Sequence, residues 1–235
     1  MTETLTTEAA LDALSALGDP EKAAQMAAYH KVDRPYLGVA NGVLDALARD
    51  WRRALEPDAR ADLAGALWDS NIHEARIAAA KLLTQARQKD DAATWARIQS
   101  WVPMFDAWAV ADHACIAGQK RLIADQSRIE TVAEWTQSNH LWTRRAALVI
   151  TLPWTKQRDP KPEDLAIREQ VLGWAAGYVP DRAWFIQKAI AWWLRDLSRR
   201  DPERVRAFLA AHGAEMKPFA RKEASRLLPP EAAAG

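Results

Sequence analysis

The chain has 235 residues, 49% of them hydrophobic, with only 9 Gly and 12 Pro. That composition supplies core enough for one large domain or a helical repeat array, and excludes fibrous and low-complexity classes. One cysteine, Cys115, excludes an internal disulfide framework, and a net charge of +1 argues against an indiscriminate nucleic-acid binder.

Charge is unevenly distributed. Residues 1–139 carry 15 Lys and Arg against 20 Asp and Glu, a net of −5, and residues 140–235 carry 17 against 11, a net of +6. The asymmetry points to a polyanion contact in the C-terminal part, or to a solvated surface with uneven charge. The N-terminus lacks the basic and apolar regions of a signal peptide. No window reaches the roughly 18 apolar residues of a membrane span. A soluble, cytoplasmic protein without a membrane partner is expected.

The hydrophobic spacing predicts helices near 7–17, 20–31, 40–54, 58–68, 73–88, 91–102, 106–123, 127–137, 141–152, 163–177, 182–199, 202–211 and 217–227. Asp19-Pro20-Glu21, Pro57-Asp58, Pro162-Glu163 and Asp201-Pro202-Glu203 mark helix starts, because proline fits the first helical position and acids favour the positive end. Helix pairs recur every ~35–45 residues, the period of HEAT or armadillo repeats. The expected fold is all-α, either a curved α-solenoid of antiparallel helix pairs with a concave face or a globular helical bundle. Residues 1–228 are read as one domain, and Pro229-Pro-Glu-Ala-Ala-Ala-Gly235 as a short flexible tail.

Three helices carry residues that simple core formation does not call for. In Asp106-Ala-Trp-Ala-Val-Ala-Asp112, Trp108 and Asp112 share a helix face with Ala111 and Cys115. An ionised carboxylate on an apolar face is costly unless it is paired, hydrogen-bonded or aimed at a developing positive charge. Arg145 shares a stripe with Leu141, Leu148, Val149 and Leu152, so it is paired internally, with Asp112 among the candidates, or reaches past the stripe into a groove. In 184–199, Ile186, Ala189, Ile190, Trp193 and Leu197 form the core stripe, with Lys188, Trp192, Arg195 and Arg199 opposite. Cations around an indole suit phosphate and a base or sugar, or Trp192 packs on the next repeat among solvated charges.

The five histidines are scattered without metal-ligand spacing, and neither a phosphate-binding loop nor a dinucleotide fingerprint is present. No metal and no cofactor is implied. Cys115 reads as an inert buried thiol.

Four segments, in order, resemble the AlkD-type alkylpurine DNA glycosylases, whose fold is an array of HEAT-like helical repeats. They are Asp19-Pro-Glu-Lys-Ala-Ala-Gln-Met-Ala-Ala-Tyr29 followed by Tyr36-Leu-Gly38, Trp108-Ala-Val-Ala-Asp112, Asn139-His-Leu-Trp-Thr-Arg-Arg-Ala-Ala147, and Phe185-Ile-Gln-Lys-Ala-Ile-Ala-Trp-Trp-Leu-Arg195. The resemblance implies a concave basic groove and a monofunctional glycosylase that hydrolyses the N-glycosidic bond of cationic N3- or N7-alkylpurines in double-stranded DNA. Asp112 then falls at the catalytic carboxylate, and Trp108 and Trp192 at the indoles beside it. Tyr29 is a third aromatic, and Arg145 and Arg195 fall at phosphate-contacting positions. Lys188 and Arg199, on the basic face, complete the expected DNA contacts. A monomer acting on alkylated duplex DNA, nucleoid-associated when bound, follows. The chain departs from the family pattern at Val39 after Leu37-Gly38, at Ala107, and at Pro153, where a family lysine is replaced with Lys156 close by. A non-catalytic DNA-binding relative and a helical protein-interaction scaffold are the alternatives.

Overall fold

A computed structural model describes residues 5–230. Among them are thirteen α-helices and no strand. The last five residues of the expected tail lie outside the described residues. The helices divide into two compact units, with the boundary between Ala124 and Asp125.

The first unit holds α1 (Thr7–Ala16), α2 (Pro20–His30), α3 (Asn41–Ala54), α4 (Pro57–Asp69), α5 (His73–Leu82), α6 (Ala92–Trp101) and α7 (Trp108–Ala124). Alternate helices lie side by side: α5 packs between α3 and α7, while α4 contacts α6 in a second layer that closes over α5. The second unit holds α8 (Ile129–Trp135), α9 (Leu141–Ile150), α10 (Pro162–Tyr178), α11 (Trp184–Leu197), α12 (Pro202–His212) and α13 (Pro218–Ser225). It repeats the scheme, with α11 between α9 and α13, and α10 against α12.

The predicted helix starts hold. Asp19 Oδ1 accepts from the backbone N–H groups of Glu21 and Lys22, both at 3.1 Å, and Asp201 Oδ1 accepts from Arg204 N at 3.3 Å. Each aspartate satisfies donors that the first helical turn leaves open. The largest difference from prediction is in α5, which stops at Leu82 rather than 88. The guanidinium of Arg121, fully buried on α7, takes the carbonyls of Gln85 and Ala86, which a continued helix would have used internally. The 141–152 helix likewise ends at Ile150 and passes into a tight turn over Leu152–Thr155 that contains Pro153.

The Leu37-Gly38 element proves to be an anchor. The Glu74 carboxylate accepts from Gly38 N at 2.7 Å and Leu37 N at 2.9 Å, and Leu37 O accepts from Asp19 N at 2.8 Å. Gly38 has φ +78°, and a Cβ there would meet Asp19 O at 2.1 Å. Gly38→Ala is therefore expected to destabilise the fold by about 2 kcal/mol or more. Thermal melting would read this as a fall of several degrees, with Gly42→Ala, whose Cβ meets open space, as the neutral comparison.

Candidate nucleic-acid interface

In the first unit the candidate residues gather where α2 meets the start of α7. Asp106, just before α7, accepts from the buried Arg34 and lies 3.8 Å from Arg76 Nη1. Arg76 is itself held by its Nε–H donating to Trp68 O at 3.1 Å, with its guanidinium 4.9 Å over the Trp68 ring. Two buried cations thus fix the acid that precedes Trp108, so α7 enters at a defined point.

Trp108 is 37% exposed and Tyr29 is 69% exposed. Their rings meet edge to face at 6.3 Å. His30 lies 5.6 Å from Trp108 and 4.5 Å from His73, which in turn lies 4.8 Å from Tyr36. A column of rings therefore backs the exposed pair and restricts its rotamers. Asp112 follows Trp108 by one helical turn. Helices α5 and α6 both pack on α7, where Ala111, Ala114 and Cys115 are buried, Trp108 and Ile116 are exposed and Asp112 between them is half-buried. The carboxylate expected on an apolar face is thus half-buried at its edge, so its desolvation cost is smaller than full burial implies. Cys115 is buried, as expected.

The histidines carry a feature not read from the sequence. His30 and His73 are 43 positions apart, so no local spacing links them. Burial pushes the His73 pKa down to about 3, assisted by the nearby His30, Arg34 and His113. Burial also lowers His30, together with Arg34. His113 is lowered by burial against the opposing hydrogen bond between its Nδ1 and Ala109 O, at 2.7 Å. Neutral imidazoles keep the column behind Trp108 free of charge. Among the described residues, no group of three or more His, Cys, Asp or Glu is arranged to hold a metal ion.

In the second unit, Ile186, Ala189, Ile190, Trp193 and Leu197 are buried on α11 as predicted. Lys188 and Arg199 are exposed, and Trp192 and Arg195 half-buried. The basic face is partly neutralised. Asp196 accepts from the Trp192 indole N–H at 3.1 Å and from Arg195 Nε and Nη2 at 3.1 and 2.9 Å, and Arg195 Nη1 donates to Glu223. Three of the five Arg195 N–H donors are thereby used, so a phosphate would share the guanidinium with these acids. Arg145 is 3% exposed, with its guanidinium 5.8 Å over Trp142. Gln187 is fully buried and acts as a staple. Its amide donates to Val179 O and Asp181 O and accepts from Lys217 N, all at 2.9 Å, fixing the entries to α11 and α13.

The sequence profile of the DNA alkylation repair enzymes matches residues 10–228. The chain belongs to that family. The DNA alkylation repair fold is shared with a solved structure described as a predicted DNA alkylation repair enzyme from Enterococcus faecalis, at 22% identity and TM-score 0.76, covering 92% of this chain and 98% of that one. AlkD2 from Streptococcus mutans superposes with TM-score 0.61 at 20% identity, covering 80% of this chain and 90% of its own. No protein with a curated description matches significantly. No helix among the described residues of this alkylation repair enzyme is long and apolar enough to cross a membrane.

The histidine column makes stability depend on pH. The folded state keeps His73 neutral down to about pH 3, whereas in the unfolded chain it protonates below about 6.5. The unfolded state then binds more protons, so stability is full above pH 6.5 and is lost as pH falls toward 3, by up to about 1.4 kcal/mol per unit from this group. Denaturant titrations between pH 7 and pH 4 are expected to show the decline, and His73→Gln to reduce its slope.

Proposed function

We propose that this family member is a monofunctional DNA glycosylase that excises cationic N3- or N7-alkylpurines from double-stranded DNA. The observation that carries the reading is the start of α7. An exposed indole, set against Tyr29, and a half-buried carboxylate lie one turn apart on a helix start clamped by buried charges. An apolar ring of that size is left open at a cost in burial unless it has something to contact.

The chemistry suits those groups. An alkylated purine is already cationic, so its departure needs no strong general acid. As the N-glycosidic bond breaks, its electron pair goes to the base and positive charge moves to the sugar. Water then adds at that carbon and loses a proton, leaving a free base and an abasic site. The Asp112 carboxylate is assigned to oppose the forming sugar cation, a preorganised electrostatic contribution of about 3–4 kcal/mol. It also orients the attacking water, and the two roles share one energy rather than adding. Trp108, with Tyr29 against its edge, offers an electron-rich face to the cationic nucleotide, about 0.5–2 kcal/mol. In the second unit, Trp192, Lys188, Arg195 and Arg199 are assigned to the sugar-phosphate strand, with Arg145 bracing Trp142 behind them. The enzyme acts as a monomer in the cytoplasm, at the nucleoid.

Asp112→Asn is expected to lower release of 7-alkylguanine or 3-alkyladenine by about 10²–10³-fold while duplex binding stays within a factor of a few. Release measured by chromatography, with binding followed in parallel, decides it. A native protein that binds the duplex at low salt and releases no base would instead establish a non-catalytic DNA-binding relative.

The acid on α11 makes a separate prediction. Asp196→Asn removes a charge that competes with phosphate for Arg195, so duplex affinity is expected to rise several-fold. Arg199→Ala is expected to lower it and to reduce the salt slope by about one counterion. Binding isotherms at several ionic strengths measure both.

A further inference from the structure

A second aromatic surface lies on α11, two turns before Trp192. Trp184 is 47% exposed and Phe219, on α13, is 36% exposed, with their rings stacked at 5.8 Å and 26°. Phe185 meets Trp184 edge-on at 4.8 Å, and Trp142 lies 4.7 Å from Phe185. The outer pair therefore stands on a half-buried aromatic base that fixes its orientation. The Lys188 ammonium sits 4.5 Å over the Trp184 ring. Arg182 and Lys222 are exposed at the margins, two residues before Trp184 and three after Phe219. At 100° per residue, Trp184, Lys188 and Trp192 fall within about 80° of one another on α11, so the surface continues the face assigned to DNA.

The chemistry of this surface differs from that of a phosphate contact. Cations alone would recognise a duplex backbone. Exposed, oriented rings recognise a flat partner that offers a π face, and a base inside a duplex offers none because both faces are stacked. Unpaired nucleotides offer a base face and a phosphate together. An indole among cations fits that combination better than an apolar protein partner, which would leave Lys188, Arg182 and Lys222 without counter-charges.

We propose that Trp184 and Phe219 form a stacking platform for unpaired nucleotides of a DNA strand adjoining the duplex, with Lys188 moving from the Trp184 ring to the nucleotide's phosphate. The proposal rests on DNA as the ligand of the second unit, and it extends that reading to single-stranded segments. The platform is separate from Asp112 and takes no part in bond breaking.

The test compares labelled duplexes by fluorescence polarisation at fixed salt. One carries an unpaired overhang of ordinary nucleotides, and the other an overhang of equal length made of abasic sugar-phosphate units. Phosphate count is the same, so a difference reports base stacking. The native protein is expected to bind the base-bearing overhang about 5- to 100-fold more tightly, the range that one stacked base contributes. Trp184→Leu with Phe219→Leu keeps apolar bulk, removes the π faces, and is expected to abolish the preference. Phe219→Leu alone reduces it, and Trp184→Tyr retains it. Equal affinity of the native protein for both overhangs would overturn the proposal, as would a preference that survives the double substitution. Dimers in sedimentation that dissociate on the same substitutions would overturn it in favour of a second copy of the chain on this surface. A protein that prefers the base-bearing overhang but releases no alkylpurine would sink the glycosylase reading and leave the platform supported.

Discussion

Burial of α5 is the constraint on which the first unit depends. Nine of its ten residues are buried, because α3 and α7 flank it and α4 covers it. The four alanines at 75 and 78–80 let those helices approach closely. The polar residues on the same helix cannot reach water, and a buried polar group without a partner costs about 1–3 kcal/mol. Glu74 and Arg76 find such partners, and His73 is held by ring contacts. Glu74 binds the Leu37-Gly38 backbone, Arg76 joins Trp68 O to Asp106, and His73 stacks with His30 and Tyr36. These three attachments set the loop after α2 and the start of α7, and so the position of Tyr29 and Trp108.

The second unit solves the same problem with one amide. Gln187 has both a donor and an acceptor, so a single buried side chain ties the loop before α11 to the start of α13. Its charged groups are arranged differently from those of the first unit. Asp196 and Glu223 lie among the cations, and Asp196 also holds the Trp192 indole. An indole tied by its N–H keeps one orientation, which favours a fixed contact at the expense of free positive charge. Lys188 and Arg199 remain exposed on that face.

Of the twelve tryptophans, Trp51, Trp68, Trp95, Trp101, Trp154 and Trp193 are core. Trp108 and Trp184 are the exposed ones. Trp108 was legible from the sequence because Asp112 stands one turn away. Trp184 was not, since its stacking partner Phe219 belongs to another helix and is 35 positions distant. The residues that hold the site in place escaped for the same reason. Arg34, Arg76 and Asp106 look like ordinary charges until the fold buries two of them around the third.

The sequence by itself determined the all-α class, twelve of the thirteen helices to within about two residues of their ends, and the buried stripe of α11. These follow from local periodicity and capping chemistry, which act over one or two turns, whereas the family followed from four motifs met in order. Tertiary structure decided where α5 stops, because Arg121 captures carbonyls 35 and 36 positions away. It also decided that Asp112 is half-buried rather than enclosed, that Arg145 lies over Trp142, and that Arg195 is shared between two acids. Each depends on which side chain a neighbouring helix brings up, and that distance is set by packing across the layer rather than by spacing along the chain.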